Sequence, residues 1–488
     1  MKRILSSVLL LSMLAAVTAS CAKGDTDDAQ TTDTQAAVET EAADPAKTFE
    51  LEEGLDYNET TLVVLTAEGI VHGIDSSEEG GGNVIKQAVY DQFRATEERL
   101  NVKFEYIDVN PFAQLSGLVS QSINAQSDDY QLVFGVASNI IGLVNEGYFL
   151  SVNELPHVNL DKVWWNRGYI ESVSINSDNP YILFGDISYN MIERTCAMFF
   201  NKRMMEELND LTDTDIYDIV LNGEWTLDKF TELAVGIYRD DNGNTQNDID
   251  DIHAVTISGA REFEFMAFSA GLRYTDRDED GYPVLNLYTD SAITLTDKLL
   301  SVLRSEDTYL EGGNNNYADL KFAGGKALFM PSRLFLAGWG SLREMSDDFG
   351  IIPMPKLDET VDGYYSTVGN AVEWGVVPVT VADPTMISAV AESLAYEGYE
   401  RLTPVYYENS LKLKYTRGDA DTESRILDLI TQSARTDFIY LNKLGGIGNI
   451  FATAFNTNQN NFSSTYAAME PAALQTLADM IEADMENQ

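Results

Sequence analysis

An acidic stretch near the middle of the chain has the spacing of a calcium-binding loop. Residues 240–251 are Asp-Asp-Asn-Gly-Asn-Thr-Gln-Asn-Asp-Ile-Asp-Asp. Calcium prefers a cage of carboxylate, amide and carbonyl oxygens, and a twelve-residue loop supplies them from alternating positions. The predicted ligands are Asp240, Asn242, Asn244, the backbone carbonyl of Gln246, Asp248 and Asp251. Thr245 stands where such loops carry glycine, and the last acid is Asp rather than Glu. We predict a structural Ca²⁺ site and keep a solvated acidic turn as the alternative.

The residue types that could carry catalysis do not form a known constellation. The three histidines, His72, His157 and His253, lie far apart, and neither a His-Glu-x-x-His helix nor a Gly-x-Ser-x-Gly elbow is present. Paired carboxylates, which a glycoside hydrolase needs, carry no information among 78 Asp and Glu residues. Cys196 lies in an apolar run and is predicted to be a buried, inert thiol. The sequence therefore predicts no enzyme, with a secreted glycoside hydrolase as the rival.

The composition excludes several other classes of protein. The chain has 488 residues, with 32 Lys and Arg against 78 Asp and Glu, and a formal net charge of −46 at pH 7. Such a chain would be repelled by the phosphates of a nucleic acid. Two cysteines are too few for a small fold that disulfides stabilise. The body also lacks the long apolar runs of a polytopic membrane protein. Since 44% of the residues are hydrophobic, the chain is also not wholly disordered.

The N-terminus has the features of a secretory signal. A basic start precedes an apolar run from Ile4 to Val17, and small residues then lead to Cys21. This resembles the bacterial lipoprotein signal, in which the cysteine is acylated and becomes the new N-terminus; a plain secretory signal is the alternative. The next stretch has almost no large apolar residue and predicts a disordered acidic tether. We predict a signal peptide over 1–20 and a lipidated tether over 21–55, which hold the body at the outer face of the cell membrane.

Strands and helices alternate in the first part of the body. Strand-like runs lie at 62–65, 102–106 and 131–135, and helical patterns lie between them at 84–100 and 112–125. This alternation predicts parallel pairing in a doubly wound α/β lobe, with ligands at the carboxyl ends of the strands. The later part is richer in helix and includes a stretch at 226–238 that Thr226 caps. Residues 276–281 superficially resemble a second acidic loop, but Pro283 and the lack of an acid at the twelfth position predict a hairpin turn.

Four segments resemble the extracellular solute-binding proteins of bacterial ABC importers. They are Leu-Ser-Val-Asn-Glu-Leu-Pro at 150–156, Phe-Phe-Asn-Lys at 199–202, Asn-Gly-Glu-Trp-Thr-Leu-Asp-Lys-Phe at 222–230 and Phe-Gly-Ile-Ile-Pro-Met-Pro-Lys at 349–356. Their order and spacing match over nearly the whole body, from Thr61 to Phe438. The resemblance implies the α/β, two-lobed, periplasmic-binding-protein-like fold of type II, with hinge crossovers around a cleft. It points to the carbohydrate branch, similar to family 1 of these proteins.

The resemblance also implies a division of the chain and a function. Lobe 1 would comprise 56–163 and 310–368, and lobe 2 would comprise 164–309 and 369–488. Hinge crossings are expected at Trp164–Arg167, Ser305–Asn315 and Val368–Ala371. The implied function is the lipid-anchored substrate-binding component of an ABC importer, a monomer that closes on a mono- or oligosaccharide and docks on permease subunits. A surface glycan-binding protein without transport is a further alternative.

A sugar site needs aromatic rings for the C–H faces and polar groups for the hydroxyls. Trp339 and Trp374 are flanked by glycines, which suits loops near a ligand, whereas Trp225 is predicted to be a core residue. Each candidate Trp could equally be a buried core residue. The predicted ligand-binding residues are Trp339, Trp374, Trp165, Arg333, Tyr365, Glu68, Asp186 and Asn370.

Overall fold

The strands of the described chain form two large sheets and two short pairs in a computed structural model. The structure describes residues 44–67, 79–110, 112–311, 317–338, 340–412 and 420–487. The strands are β1 (Thr60–Ala67), β2 (Val102–Val109), β3 (Leu132–Val136), β4 (Cys196–Asn201), β5 (His253–Ile257), β6 (Thr275–Arg277), β7 (Pro283–Leu285), β8 (Thr308–Leu310), β9 (Ala327–Arg333), β10 (Phe349–Ile352), β11 (Ser366–Thr367), β12 (Glu373–Val376) and β13 (Ala434–Arg435).

The helices of the described residues cover the sheets and fill most of the C-terminal part. They are α1 (Val84–Leu100), α2 (Leu115–Asn124), α3 (Ala137–Asn145), α4 (Arg167–Val173), α5 (Asn190–Arg194), α6 (Lys202–Asn209), α7 (Asp213–Leu221), α8 (Leu227–Ala234), α9 (Ala260–Ser269), α10 (Asp290–Leu303), α11 (Tyr317–Ala323), α12 (Gly340–Arg343), α13 (Pro384–Glu397), α14 (Thr403–Tyr406), α15 (Ala420–Gln432), α16 (Phe438–Asn442), α17 (Ile450–Thr457) and α18 (Phe462–Asn487). Short 3₁₀ turns lie at Pro45–Lys47, Phe112–Gln114, Val152–Glu154, Leu334–Gly338 and Leu444–Asn449, and π-helical turns lie at Gly398–Leu402 and Tyr407–Lys412.

The first sheet, in the order β12-β3-β1-β2, confirms the predicted parallel lobe. Strand β1 pairs in parallel with both β2 and β3. Helix α1 has the predicted bounds, because Asn83 caps its first amides and Asn101 ends it in the left-handed conformation at φ 51°. Its apolar face buries Val89 and Phe93. We call the part of the chain built on this sheet lobe 1.

The second sheet has the order β10-β4-β9-β5-β8 and carries lobe 2. Thr226 caps α8 as predicted, since its hydroxyl accepts a hydrogen bond from the Lys229 amide at 3.3 Å. The helix ends at Ala234 rather than at 238. The buried carboxylate of Asp307 accepts the amides of Gly236, Ile237 and Tyr238, so those amides are not available to a helix.

The predicted division into lobes is wrong in two places. Strands β9 and β10, which lie within the predicted lobe 1 segment 310–368, belong to the second sheet. Strand β12, which lies within the predicted lobe 2 segment 369–488, belongs to the first sheet, and Leu183 forms a bridge with its Gly375. We assign each segment to the lobe whose sheet it pairs with. By this criterion residues 164–183 belong to lobe 1.

The crossings between the lobes follow from this pairing. The chain enters lobe 2 between Leu183 and Cys196, not at the predicted Trp164–Arg167. Strand β8 is an edge strand of lobe 2, so the described part of the predicted crossing Ser305–Asn315 is not a crossing. The predicted crossing at Val368–Ala371 lies between β10 of lobe 2 and β12 of lobe 1, and Thr195 pairs with Val368 there.

The predicted tether ends earlier than residue 55. The ring of Phe49 stacks on Tyr396 with 4.2 Å between the ring centroids, and the guanidinium of Arg99 lies 4.5 Å from the Phe49 ring. Glu50 forms an ion pair with the buried Lys162 at 2.8 Å. Residues from Pro45 onward therefore belong to the folded body. The rest of the predicted tether, the signal peptide and Cys21 lie outside the described residues.

Three smaller predictions agree with the structure. Trp225 is fully buried and donates its indole N–H to the Pro353 carbonyl at 2.9 Å. Cys196 is a buried free thiol whose pKa burial raises above its ordinary range. Strands β6 and β7 form an antiparallel hairpin around residues 278–282, where Asp278 accepts two backbone amides.

Candidate functional site

One strand of each sheet ends at the crossings. Strand β4 starts just after one crossing and runs antiparallel to β9, so Cys196 lies opposite Arg333. Strand β12 starts just after the other crossing and runs antiparallel to β3, so Glu373 lies opposite Val136. The carboxyl ends of β3 and β9 therefore both lie at the crossings. We call the space at these strand ends the interlobe cleft, since ligands of open α/β sheets bind at this edge.

Two arginines lie at the crossings. Arg333 is the last residue of β9, and Arg194 is the last residue of α5, at the end of the first crossing. Their guanidinium carbons lie 4.9 and 5.4 Å from the ring centroid of Phe335. Both side chains are partly exposed. The backbone holds Arg194 in place, because its carbonyl accepts the Gly369 amide at 2.9 Å.

The charge around Arg333 is positive. Burial lowers the pKa of Arg333 to about 10, and the charges of Arg261 and Arg194 lower it further in the same direction. Arg261 has its own partner, since its guanidinium lies 2.6 Å from the carboxylate of Glu262. The Nε atoms of Arg194 and Arg333 are shielded from solvent and have no hydrogen-bond partner among the described residues.

Two carboxyl groups beside the crossing have raised pKa values. Burial raises the pKa of Glu193 to about 7 and that of Glu373 to about 8. Glu373 accepts a hydrogen bond from the Ser188 hydroxyl at 2.8 Å, and its amide donates to Asn190 at 2.9 Å. These bonds join Glu373, the first residue of β12, to the segment that leads into lobe 2.

The structure brings some of the predicted site residues to the cleft. Arg333 lies there, and Asn370 is an exposed residue of the return crossing. Tyr365 instead packs under the guanidinium of Arg435, which lies 3.2 Å from its ring centroid. Trp339 and Glu68 lie outside the described residues.

Trp374 does not lie in a loop as its glycine neighbours predicted. It belongs to β12, is 1% exposed and donates its indole N–H to the Tyr169 hydroxyl at 3.1 Å. The glycines near Trp374 allow close packing. Gly375, for example, lies against the ring of Phe134, which an added Cβ would meet at 2.9 Å. The indole therefore contributes to the core of lobe 1.

Trp165 and Asp186 meet in a separate cavity of about 470 Å³ beside the first crossing. The Trp165 indole donates to Glu392 at 2.8 Å. Asp186 accepts a hydrogen bond from the Thr403 hydroxyl at 2.6 Å, and burial raises its pKa to about 7. Tyr407 and residues of α15 complete the wall, so this cavity also lies between parts of both lobes.

Arg194, Glu193 and Glu373 were missed as site candidates. The available signal was their position, because each flanks a buried strand that begins at a crossing: β4 for the first two and β12 for the third. The predicted first crossing lay at Trp164–Arg167, so the position of Arg194 and Glu193 gave no signal, whereas Glu373 directly follows the predicted crossing Val368–Ala371 and could have been found.

Hydrogen bonds within the acidic loop, residues 240–251, stabilise its conformation. Asp240 accepts the amides of Gly243, Asn244 and Thr245 at 2.6, 3.2 and 2.8 Å. Asn242 and Asn244 both donate to Asp248. Within the described ranges, no group of three or more His, Cys, Asp or Glu residues is arranged to hold a metal ion.

A lysine lies at the base of the same loop. The ammonium of Lys321, a buried residue, donates to the carbonyls of Asp248, Ile249 and Asp251 at 3.2, 2.9 and 2.7 Å. Asp251 also accepts the amides of Asp241 and Asp248. Gln246 lies on the exposed side of the loop.

The comparisons with known proteins agree on one fold. No protein-family profile and no curated protein matches the sequence. UgpB from Mycobacterium tuberculosis, in complex with glycerophosphocholine, matches with a TM-score of 0.53 and 14% identity over 82% of this chain and 97% of that chain. A cyclo/maltodextrin-binding protein complexed with maltotetraose matches with a TM-score of 0.51 and 11% identity over 87% and 96%. An ABC transporter solute-binding protein from Thermotoga lettingae, bound with α-D-tagatose, matches with a TM-score of 0.51 and 12% identity over 86% and 100%.

This chain has the fold of the ABC-transporter solute-binding proteins. The predicted α/β, two-lobed architecture is therefore confirmed. These matches cover 82–87% of this chain and 96–100% of the matched chains. No described helix is both long and apolar enough to span a membrane.

Proposed function

We propose that the chain is the substrate-binding component of an ABC importer and that it captures a carbohydrate in the interlobe cleft. The observation that carries the proposal is that strands of both sheets end at the crossings, within a fold matched over 82–87% of the chain. The matched proteins were solved with glycerophosphocholine, maltotetraose and tagatose, which are all small polar solutes. A mono- or oligosaccharide is the corresponding solute for this chain.

The mechanism would be closure of the two lobes on the solute. An open form exchanges with a closed form, and a solute that contacts both lobes shifts the population toward the closed form. The closed monomer then docks on permease subunits. Neither step makes or breaks a covalent bond, so the proposed role is binding and not catalysis.

The anchor and the metal are further parts of the proposal. Cys21 would carry the lipid and hold the body at the outer face of the cell membrane, because an acyl chain gains about 0.8 kcal/mol per buried CH₂ group. The acidic loop would bind Ca²⁺ in a structural role, with Asp240, Asp248 and Asp251 as its charged ligands.

A thermal-shift screen tests the binding function. The panel should contain neutral monosaccharides, maltodextrins, raffinose-type oligosaccharides, polyols, sugar acids and sugar phosphates. A ligand that binds only the native state raises the melting temperature, so at least one member should raise it in a saturable way. A panel without any stabilising member would contradict the function.

The same panel separates binding from hydrolysis. Each stabilising oligosaccharide is incubated with the protein, and the products are separated by chromatography. Intact ligand at one equivalent per chain is expected. Release of shorter sugars in many turnovers would instead support the rival glycoside hydrolase.

A further inference from the structure

Two guanidinium groups at the crossings have no ion pair with a carboxylate of the described residues. Arg194 and Arg333 both lie near the ring of Phe335, with their guanidinium carbons 5.4 and 4.9 Å from its centroid. Neither forms an ion pair with a described carboxylate, and neither Nε has a hydrogen-bond partner. A partly buried charge without a partner is costly, so such a pair calls for an explanation.

Several other arginines of the described chain are paired with carboxylates. Arg99 lies 2.5 Å from Glu397, Arg167 lies 2.6 Å from Glu171, and Arg203 lies 2.6 Å from Glu207. The chain has 78 acidic residues against 32 basic ones, so partners are abundant. At the junction of the lobes, by contrast, two neighbouring arginines both lack an ion pair with a described carboxylate.

The nearest acids offset the charge of the pair only in part, although both guanidiniums lower the pKa of Glu193. Glu193 and Glu373, which face the crossing, have pKa values raised by burial to about 7 and about 8, so much of their charge is absent at neutral pH. Glu262 is already paired with Arg261 at 2.6 Å. Burial raises the pKa of Asp319 to about 6, and it forms no ion pair with Arg333.

The positions of the two arginines suit a ligand that touches both sides of the cleft. Arg333 ends a strand of lobe 2, and Arg194 lies on the crossing next to Glu193, which leads back to lobe 1. Both side chains are partly exposed, so their head groups can reach a solute. A guanidinium binds a carboxylate or a phosphate through two parallel N–H···O bonds, and two guanidiniums are excessive for a neutral hydroxyl.

We propose that the carbohydrate bound in the cleft is acidic and that Arg194 and Arg333 bind its carboxylate or phosphate group. The inference rests on the proposed function and narrows its substrate class. The bound anion supplies a direct ion-pair partner, which no described carboxylate provides, and relieves the repulsion between the two guanidiniums. An acidic solute also explains why a chain with a net charge of −46 leaves these two cations without an ion pair to a described carboxylate.

Matched sets of neutral and acidic sugars test the charge. Isothermal titration is run with glucose, glucuronate and glucose 6-phosphate, and with galactose, galacturonate and galactose 6-phosphate. In at least one set a charged member should bind about tenfold or more tightly than its neutral parent, as expected for a charge-assisted contact. Its affinity should fall as NaCl is raised, because salt screens the contact.

Four variants test the two residues. Arg333→Gln and Arg194→Gln should each weaken the charged ligand about tenfold while the neutral parent changes little. Arg333→Lys keeps the charge and should retain part of the preference. Arg239→Gln is the matched control, since that side chain is 63% exposed and should leave the affinity unchanged. Melting temperatures without ligand show which variants are folded.

The outcomes separate this inference from the function on which it rests. A neutral sugar that binds as tightly as its charged relatives overturns the acidic substrate, while the binding function stands. Equal loss of charged and neutral ligands in the Arg→Gln variants assigns the arginines a structural role and overturns the inference as well. If no charged member of either set binds, the inference fails, and the wider thermal-shift panel then decides whether the function fails with it.

Discussion

At the scale of single residues, the crossings carry carboxyl groups with raised pKa values. Asp186, Glu193 and Glu373 have pKa values raised by burial to about 7, about 7 and about 8. Each therefore binds a proton more readily in the fold than in the unfolded chain. Burial beside the crossings thus favours the neutral form of these carboxyl groups.

The first prediction follows from these protons. Because the folded state binds more protons than the unfolded state between about pH 4.5 and about pH 8, the free energy of unfolding should fall as pH rises through this window. Glu373, ordinary value 4.5, is almost fully buried and contributes at most about 1.4 kcal/mol per pH unit. Urea denaturation at several pH values measures this slope.

A matched pair of variants isolates the contribution of Glu373. Glu373→Gln cannot ionise, so its unfolding free energy should vary less with pH than that of the unmodified protein. The control is Glu59→Gln in the same lobe, where the side chain is 66% exposed and should leave the slope unchanged. An unaltered slope in Glu373→Gln would show that this carboxyl does not hold its proton.

At the scale of elements, glycine decides how closely segments approach the first crossing. Gly398 begins a π-helical turn after α13 with φ −64° and ψ −46°, a conformation that any residue adopts. A Cβ there would lie 1.9 Å from the carbonyl oxygen of Asp186. The requirement for glycine is therefore one of space and not of backbone strain.

The second prediction compares two helical glycines. Gly398→Ala should destabilise the protein by about 1–3 kcal/mol or more, because backbone on both sides must move. Gly142→Ala in α3 is the control: nothing lies within 4 Å of its added Cβ, so it should stabilise by about 0.5–1 kcal/mol. Chemical denaturation of both variants checks the opposite signs, and two equal effects would refute the steric argument.

The acidic loop supports the third prediction. If the loop binds calcium, titration of the EDTA-treated protein should give a saturable heat, and Asp240→Ala should abolish it because it removes the first ligand and three amide contacts. Asp280→Ala, an exposed acid of the β6–β7 hairpin, is the control and should keep the heat. A titration of the unmodified protein without calcium heat would leave a loop held only by Lys321 and its own hydrogen bonds.

At the scale of the whole molecule, the crossings connect two sheets that share no strand. The short pairs that join the lobes are few: Thr195 with Val368, and β11 with β13. Connections of this kind can absorb a rotation of one lobe against the other while each sheet stays intact.

The fourth prediction concerns this rotation. A saturating ligand from the thermal-shift panel should reduce the radius of gyration in small-angle X-ray scattering, because the lobes close around it. A sugar that gives no thermal shift is the control and should leave the scattering curve unchanged. A saturating ligand that also leaves it unchanged would show that the cleft binds without closure.

Sequence reasoning succeeded where the information is local. The bounds of α1, the cap at Thr226, the β6–β7 hairpin and the burial of Trp225 were predicted because spacing, capping chemistry and turn residues determine them within a few residues. The α/β order and the resemblance in four segments also led to the two-lobed fold, which the comparisons confirm.

Only the tertiary structure decided which segment joins which sheet. Strands β9, β10 and β12 pair with partners more than a hundred residues away in sequence, and no local pattern specifies such partners. The same holds for the site. Trp374 proved to be a core residue and Arg194 a cleft residue because burial and charge pairing depend on neighbours that the fold brings together, not on the residues beside them in the chain.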